Sequence, residues 1–165
     1  GSDLTPLLTG GAVLQLCLAY ASGVLADGLI AGGWAVRDVR VALQGAGMIL
    51  PAVALALAAG EAPHADLLLL LGGGLSSLTV GAVSVNHVDV APRAAGLVFA
   101  AGNTAATVGG LLSVPAAGWA LDNGGSSAPL LLFALNDVLG FVAYAFLAGG
   151  EPLPGWELEG ERGRS

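Results

Sequence analysis

Few residues in this chain can do chemistry, and most of them lie inside long apolar runs. Asp137 interrupts an otherwise uncharged stretch from Ala128 to Gly149. Asn103 and Thr107 fall on one helical stripe with Gly96, Ala100 and Gly110, and a second stripe joins Gly73, Ser77, Gly81, Ser84 and His87, all at spacings of three or four. A polar or ionisable group in lipid is costly, so it marks a substrate contact, an ion path or a proton relay. Stripes of small residues also serve close helix packing, and both readings stand for these two. Asn103 offers two N–H donors and a carbonyl acceptor, which suits a carboxylate or phosphate oxygen. Ser84 and Thr107 would add hydroxyls to the same substrate-binding face. Thr104, next to Asn103, points about 100° away. Asp137 is read as a proton- or ion-coupling candidate, or as a carboxyl held by a neighbouring helix. His87, Asp89 and Arg93 cluster at the end of one apolar run, and Asp27 and Arg40 lie near the ends of two others, as gating or structural charges. Asp89 and Arg93 are four apart and could pair if the helix continued past Pro92. The two histidines, His64 and His87, are too few and too distant to hold a metal. With no serine or cysteine nucleophile beside His87 and Asp89, no catalytic residue and no cofactor is expected. A membrane-embedded enzyme is the weakest of the functional classes considered.

The elements that carry these residues follow from composition. The chain has 165 residues, 55% hydrophobic and only 10% charged, where a soluble domain has about 25% charged. Mean hydropathy is +0.81. Lipid is therefore the expected solvent, and the 27 glycines are what membrane helices use to pack closely. A bilayer core of about 30 Å needs roughly 20 apolar residues of helix. Five runs qualify, at about 7–26, 41–59, 67–87, 94–121 and 128–149, so the expected fold is an all-α membrane protein. Residues 1–150 form one transmembrane half-domain and 151–165 a cytoplasmic acidic tail. Pro51 and Pro115 lie inside spans two and four, where neighbouring helices can satisfy the freed carbonyls. Cys17, the lone cysteine, cannot form a disulfide within the chain and reads as a small core residue. The start at Gly1-Ser2, without Met or a basic leader, reads as a fragment or processed piece. The net charge of −7 and the absence of lysine leave no basic footprint for nucleic acid.

The arginines orient the spans. Arg37 and Arg40 separate the first two runs, Arg93 the third and fourth, and Arg162 and Arg164 follow the fifth. The other connections, 60–66 and 122–127, carry none. Alternate loops thus hold every positive charge, and the positive-inside rule puts them on the cytoplasmic side or its equivalent. At 1.5 Å per residue, Asn103 lies roughly 15 Å beyond Arg93, near mid-bilayer.

The stretch Val85-Asn-His-Val-Asp-Val-Ala-Pro-Arg93, followed by Ala95-Gly96, Gly102-Asn-Thr-Ala105, Gly109-Gly110 and Pro115, resembles the anion/phosphate cotransporter family of the major facilitator superfamily. That family includes sialin, the vesicular glutamate transporters and plastid phosphate carriers. Gly23–Asp27, Val39-Arg40, Gly47-Met48, Pro51–Val53, Ala148–Glu151 and Trp156 are similar to it as well. The resemblance implies that the five spans are helices eight to twelve of a twelve-helix fold, and that a missing N-terminal half completes the transporter. It implies secondary active transport of an organic anion or phosphate by alternating access, with a proton or sodium ion as coupling partner. Asn103 falls where the family has a cavity-facing asparagine, and Asp27, Asp89 and Arg93 fall on its inner-loop charges. Two positions depart from the pattern: arginine is delayed to Arg37 after Asp27, and Ala94 replaces an aromatic. Asp137 has no clear counterpart. The alternative is a transport-inactive membrane scaffold. The organelle is open; an Ala- and Gly-rich style suits a GC-rich algal genome and a plastid membrane.

Overall fold

The computed structural model of the chain describes residues 5–60 and 62–156. Gly1, Ser2, Glu61, Arg162, Arg164 and the end of the acidic tail lie outside them. Among the described residues there is helix and no strand. The order is α1 (Thr5–Ala31), α2 (Val36–Ala59), α3 (Ala65–Ser76), a 3-10 turn (Ser77–Gly81), α4 (Val83–Val90), a second 3-10 turn (Pro92–Ala94), α5 (Ala95–Gly124) and α6 (Ser127–Leu147). Five segments are long and apolar enough to cross a membrane, with α3 to α4 counted as one, and their mean hydropathy is 1.5 to 2.0. The protein is an all-α, multi-pass integral membrane protein.

Several boundaries differ from expectation, α5 among them, which runs on to Gly124. Helix α1 runs five residues beyond Ala26 and takes Asp27 into its last turns. Helix α2 starts at Val36, so Arg37 and Arg40 sit in a helix and not in a loop. A charge ends an apolar run without ending a helix; glycine ends it here, Gly33 adopting φ 91° in the four-residue connection. The third span is not one continuous helix: it breaks at the 3-10 turn, and Ala82 leaves the helical region at φ −114°, ψ −92°. Helix α6 stops at Leu147, two residues early, where Ala148 turns extended.

The described arginines lie at one end of the bundle. Arg40 reaches Asp89 near the end of α4, Arg37 reaches the end of α6, and the Arg93 amide bonds the chain that follows α6. At the opposite end, Ser127 Oγ donates to the Ala59 carbonyl at 2.8 Å. The best-buried cluster, Ala26, Val39, Leu43 and Ala82, sits where α1, α2 and the span break converge. Small residues set these approaches, since lipid offers no hydrophobic drive for helix association. A Cβ on Gly47 would stand 2.9 Å from the Thr79 amide nitrogen, and one on Gly81 would stand 2.7 Å from the Ser22 carbonyl oxygen.

Helix α5 differs from the rest. Only Ala120 is buried along its length, and Leu111, Val114 and Trp119 are each 70% exposed or more. Its glycines at 96, 102, 109, 110 and 118 meet nothing within 4 Å. The stripe through Asn103 is thus an open face, not a packing seam with another described helix. Cys17 is exposed, not core: no described helix packs over its side of α1.

Candidate functional site

The span break is held by a chain of polar contacts. Ser22 Oγ donates to the Ala19 carbonyl at 2.8 Å and accepts the Gly81 amide at 3.1 Å. The Gly81 carbonyl accepts from Arg40 Nη1 at 2.8 Å. Arg40 then forks onto Asp89, with Nε to Oδ2 at 2.8 Å and Nη2 to Oδ1 at 3.3 Å. Non-helical backbone inside a bilayer is tolerated only when its polar groups are satisfied. Here one hydroxyl and one guanidinium satisfy both groups of Gly81. Arg40 is 5% exposed, so its charge is compensated mainly by Asp89. The bidentate geometry is the strong form of such a pair.

Of the expected gating charges, the structure brings Arg40 and Asp89 together. The Asp89–Arg93 pair, which needed the helix to continue past Pro92, is not among the ion pairs of the described residues. Ala91 and Pro92 end α4, and Arg93 opens into a separate 3-10 turn with an exposed side chain. Asp27 is exposed near the end of α1. His87 points away from the ion pair and packs against Phe99 with ring centroids 5.1 Å apart.

Residues after α6 form a strap across this end. Arg37 donates to the carbonyls of Ala145 (2.7 Å) and Ala148 (3.1 Å), satisfying the last turn of α6. Asn86 Nδ2 donates to the Gly149 carbonyl at 2.6 Å, and the Leu153 amide donates to the Val90 carbonyl at 2.9 Å. Gly150 lies against the Arg37 backbone, where an added Cβ would meet the amide nitrogen at 2.7 Å. Sequence reasoning missed Ser22, Asn86 and the double role of Gly149-Gly150. Asn86 stood inside the most specific motif, and a glycine pair just past a helix end signals close backbone approach.

The candidate substrate face is a cavity of about 420 Å³ between α4 and α5. Its lining includes Ser84, Asn86, His87, Phe99 and Asn103. Two of the three expected substrate residues therefore meet, and His87 joins them. Thr107 does not: its hydroxyl donates to the Asn103 carbonyl at 2.9 Å, one turn back on the same helix. The described lining of the cavity holds hydroxyl, amide and imidazole groups but no arginine, so it offers hydrogen bonds without a fixed positive charge. The stripe on the third span is divided by the break. Gly81 serves packing, and Ser84 and His87 serve the cavity. Asp137 lies elsewhere, half-buried between α6, α2 and α3 in a separate cavity of about 230 Å³. Among the described residues no group of three or more His, Cys, Asp or Glu could hold a metal.

A multi-pass bundle with a broken helix, a buried ion pair at one end and an open polar face belongs to the class of integral membrane proteins. No family model matches the chain, but individual relatives do. It is 33% identical over 136 residues to a probable chloroplast anion transporter 3 of Oryza sativa, covering 81% of this chain and 26% of that protein. It is 31% identical over 112 residues to a chloroplast sodium-dependent phosphate transport protein 1 of Arabidopsis thaliana, covering 64% of this chain and 21% of that protein. It is 31% identical over 107 residues to a voltage-gated purine nucleotide uniporter of Homo sapiens, covering 64% and 24%. These relatives are anion and phosphate transporters, similar to this chain at modest identity over most of its length and consistent with the anion/phosphate cotransporter resemblance. The chain spans about a quarter of the length of these curated relatives, which are transporters and not enzymes.

Proposed function

We propose that this chain is the C-terminal membrane part, helices eight to twelve, of a secondary active carrier for an organic anion or phosphate. The carrier works by alternating access, with the rest of the transporter seated on the open face of α5. The observation that carries this reading is the α4–α5 cavity, where Asn103 meets Ser84 and His87 of the arginine-bearing end of the third span, in a chain whose relatives carry anions. Asn103 orients a substrate oxygen, and arginines on the other half meet its charge. The Arg40–Asp89 pair closes the arginine-bearing end and parts when that end opens. Asp27 and Arg93 are solvated charges at that rim. A plastid membrane is the proposed location, in keeping with the chloroplast relatives.

A transport-inactive scaffold is the second reading, favoured by the absence of any basic side chain other than His87 from the cavity lining. Uptake of phosphate and of small carboxylates by the full-length protein in proteoliposomes separates the two. Asn103→Ala removes a hydrogen bond to a charged oxygen, worth about 1.5–3 kcal/mol, so KM rises roughly 10- to 150-fold with normal insertion. Unchanged KM and turnover would remove Asn103 from the site. No uptake of any anion by the wild type would remove the carrier reading.

A further inference from the structure

Asp137 is the one carboxylate in α6, ten residues in from Ser127, about 15 Å along the helix and so about halfway across a 30 Å hydrocarbon core. Its cavity is lined on α2 by Pro51 and Leu55 and on α3 by Leu68, Gly72 and Ser76. A second cavity of about 430 Å³ adjoins it, between α1 and α3, and carries Gln15 and Asp66. The two share Leu69 and Gly73 as a common wall. Asp66 is in the first turn of α3, at the end of the bundle without arginines. Asp66 and Gln15 thus line one cavity toward that end and Ser76 and Asp137 the adjoining one at mid-depth, both apart from the Asn103 cavity and sharing no lining residue with it.

An ionised carboxylate at this depth needs a counter-charge, and among the described residues the surroundings supply none. No other ionisable side chain lines the cavity. The charges of α2 are Arg37, Asp38 and Arg40, all at its far end; α3 adds only Asp66, and α5 has no ionisable residue from Ala95 to Leu121. A metal cation is poorly served, since hard cations collect about six oxygens and the lining side chains offer one carboxylate and one hydroxyl. Ser76 Oγ already donates its hydrogen to the Gly73 carbonyl at 2.7 Å. It is left as an acceptor, the complement of a carboxylic acid O–H.

We propose that Asp137 is a proton-binding site of this protein, loaded from the arginine-free side through the Asp66–Gln15 cavity and distinct from the anion cavity. The step is association of one proton with one carboxylate oxygen, released again to solution. As the source of the coupling ion it rests on the carrier reading; as a protonation site it does not.

The test uses the full-length protein in oriented proteoliposomes and follows the infrared carbonyl stretch of a protonated carboxylic acid. The band is expected to titrate with pH on the arginine-free side alone, to vanish in Asp137→Asn and to shift in Asp137→Glu. Leu69→Trp, which fills the shared wall, slows its response to a pH jump. Asp137→Asn also loses stimulation of anion uptake by a pH gradient while retaining anion exchange. A band untouched by Asp137→Asn or Asp137→Glu, or one that responds only to pH on the arginine side, overturns the proposal. So does a band that sodium, not pH, removes. An intact titration in a protein that moves no anion supports the site and refutes the carrier.

Discussion

Replacing Asp89 by Asn isolates the ion pair at the arginine end, because the change keeps shape and removes one charge. Arg40 is 5% exposed, and its fork makes three contacts: two with Asp89 and one with the Gly81 carbonyl. Breaking a fully buried pair from one side costs about 3–5 kcal/mol. The Asp89 side chain is 18% exposed and asparagine still accepts one bond, so about 2–3 kcal/mol is expected, roughly 30- to 150-fold in the folding equilibrium. Arg40→Leu adds the unmet Gly81 carbonyl to the lost pair and costs at least as much. The double variant Arg40→Leu/Asp89→Leu leaves no orphaned charge. It should be more stable than the sum of the singles by about 1 kcal/mol or more. Unfolding by sodium dodecyl sulfate in mixed micelles, read by fluorescence of Trp34, Trp119 and Trp156, measures all four corners of the cycle. Arg93→Ala is the control, its exposed side chain predicting a change within about 0.5 kcal/mol. Asp89→Asn within about 0.5 kcal/mol of wild type, with coupling near zero, would refute the pair. An Arg93→Ala effect as large as that of Asp89→Asn would restore the local Asp89–Arg93 pairing.

Gly81→Ala drives a methyl into the Ser22 carbonyl, backbone that cannot step aside. A loss of about 1–3 kcal/mol is expected in the same unfolding assay, and a neutral result would show that the break does not press on α1. Gly150→Val forces the strap away from the Arg37 backbone. Hydrogen exchange at the Leu153 amide, now bonded to the Val90 carbonyl at 2.9 Å, should quicken about fivefold for a bond worth near 1 kcal/mol. Unaltered exchange would mean that the strap is held without the glycine pair.

What the sequence determined by itself was the solvent and the end of the bundle at which the arginines gather. Five apolar runs and the alternation of arginines depend on transfer free energies of individual residues, so they are legible without packing. The same holds for the presence of connections near 60–66 and 122–127, although α5 runs on to Gly124 and leaves only Gly125 and Ser126 between the last two helices, and for the family resemblance carried by Val85–Arg93. What only the tertiary structure decided was where helices break and which charges meet. The 3-10 turn at Ser77–Gly81 has no proline to announce it. It exists because Ser22 and Arg40, 59 and 41 residues away, satisfy the backbone that the break releases. Asp89 chose Arg40 over Arg93 for the same reason: sequence spacing favours the neighbour four residues on, but the helix ends between them, and the bundle brings a distant guanidinium to 2.8 Å. Thr107 shared a stripe with Asn103 yet gave its hydroxyl to a carbonyl one turn back. Position on a helical face is a property of sequence, whereas the partner of a polar group is a property of whatever the fold brings within hydrogen-bond reach.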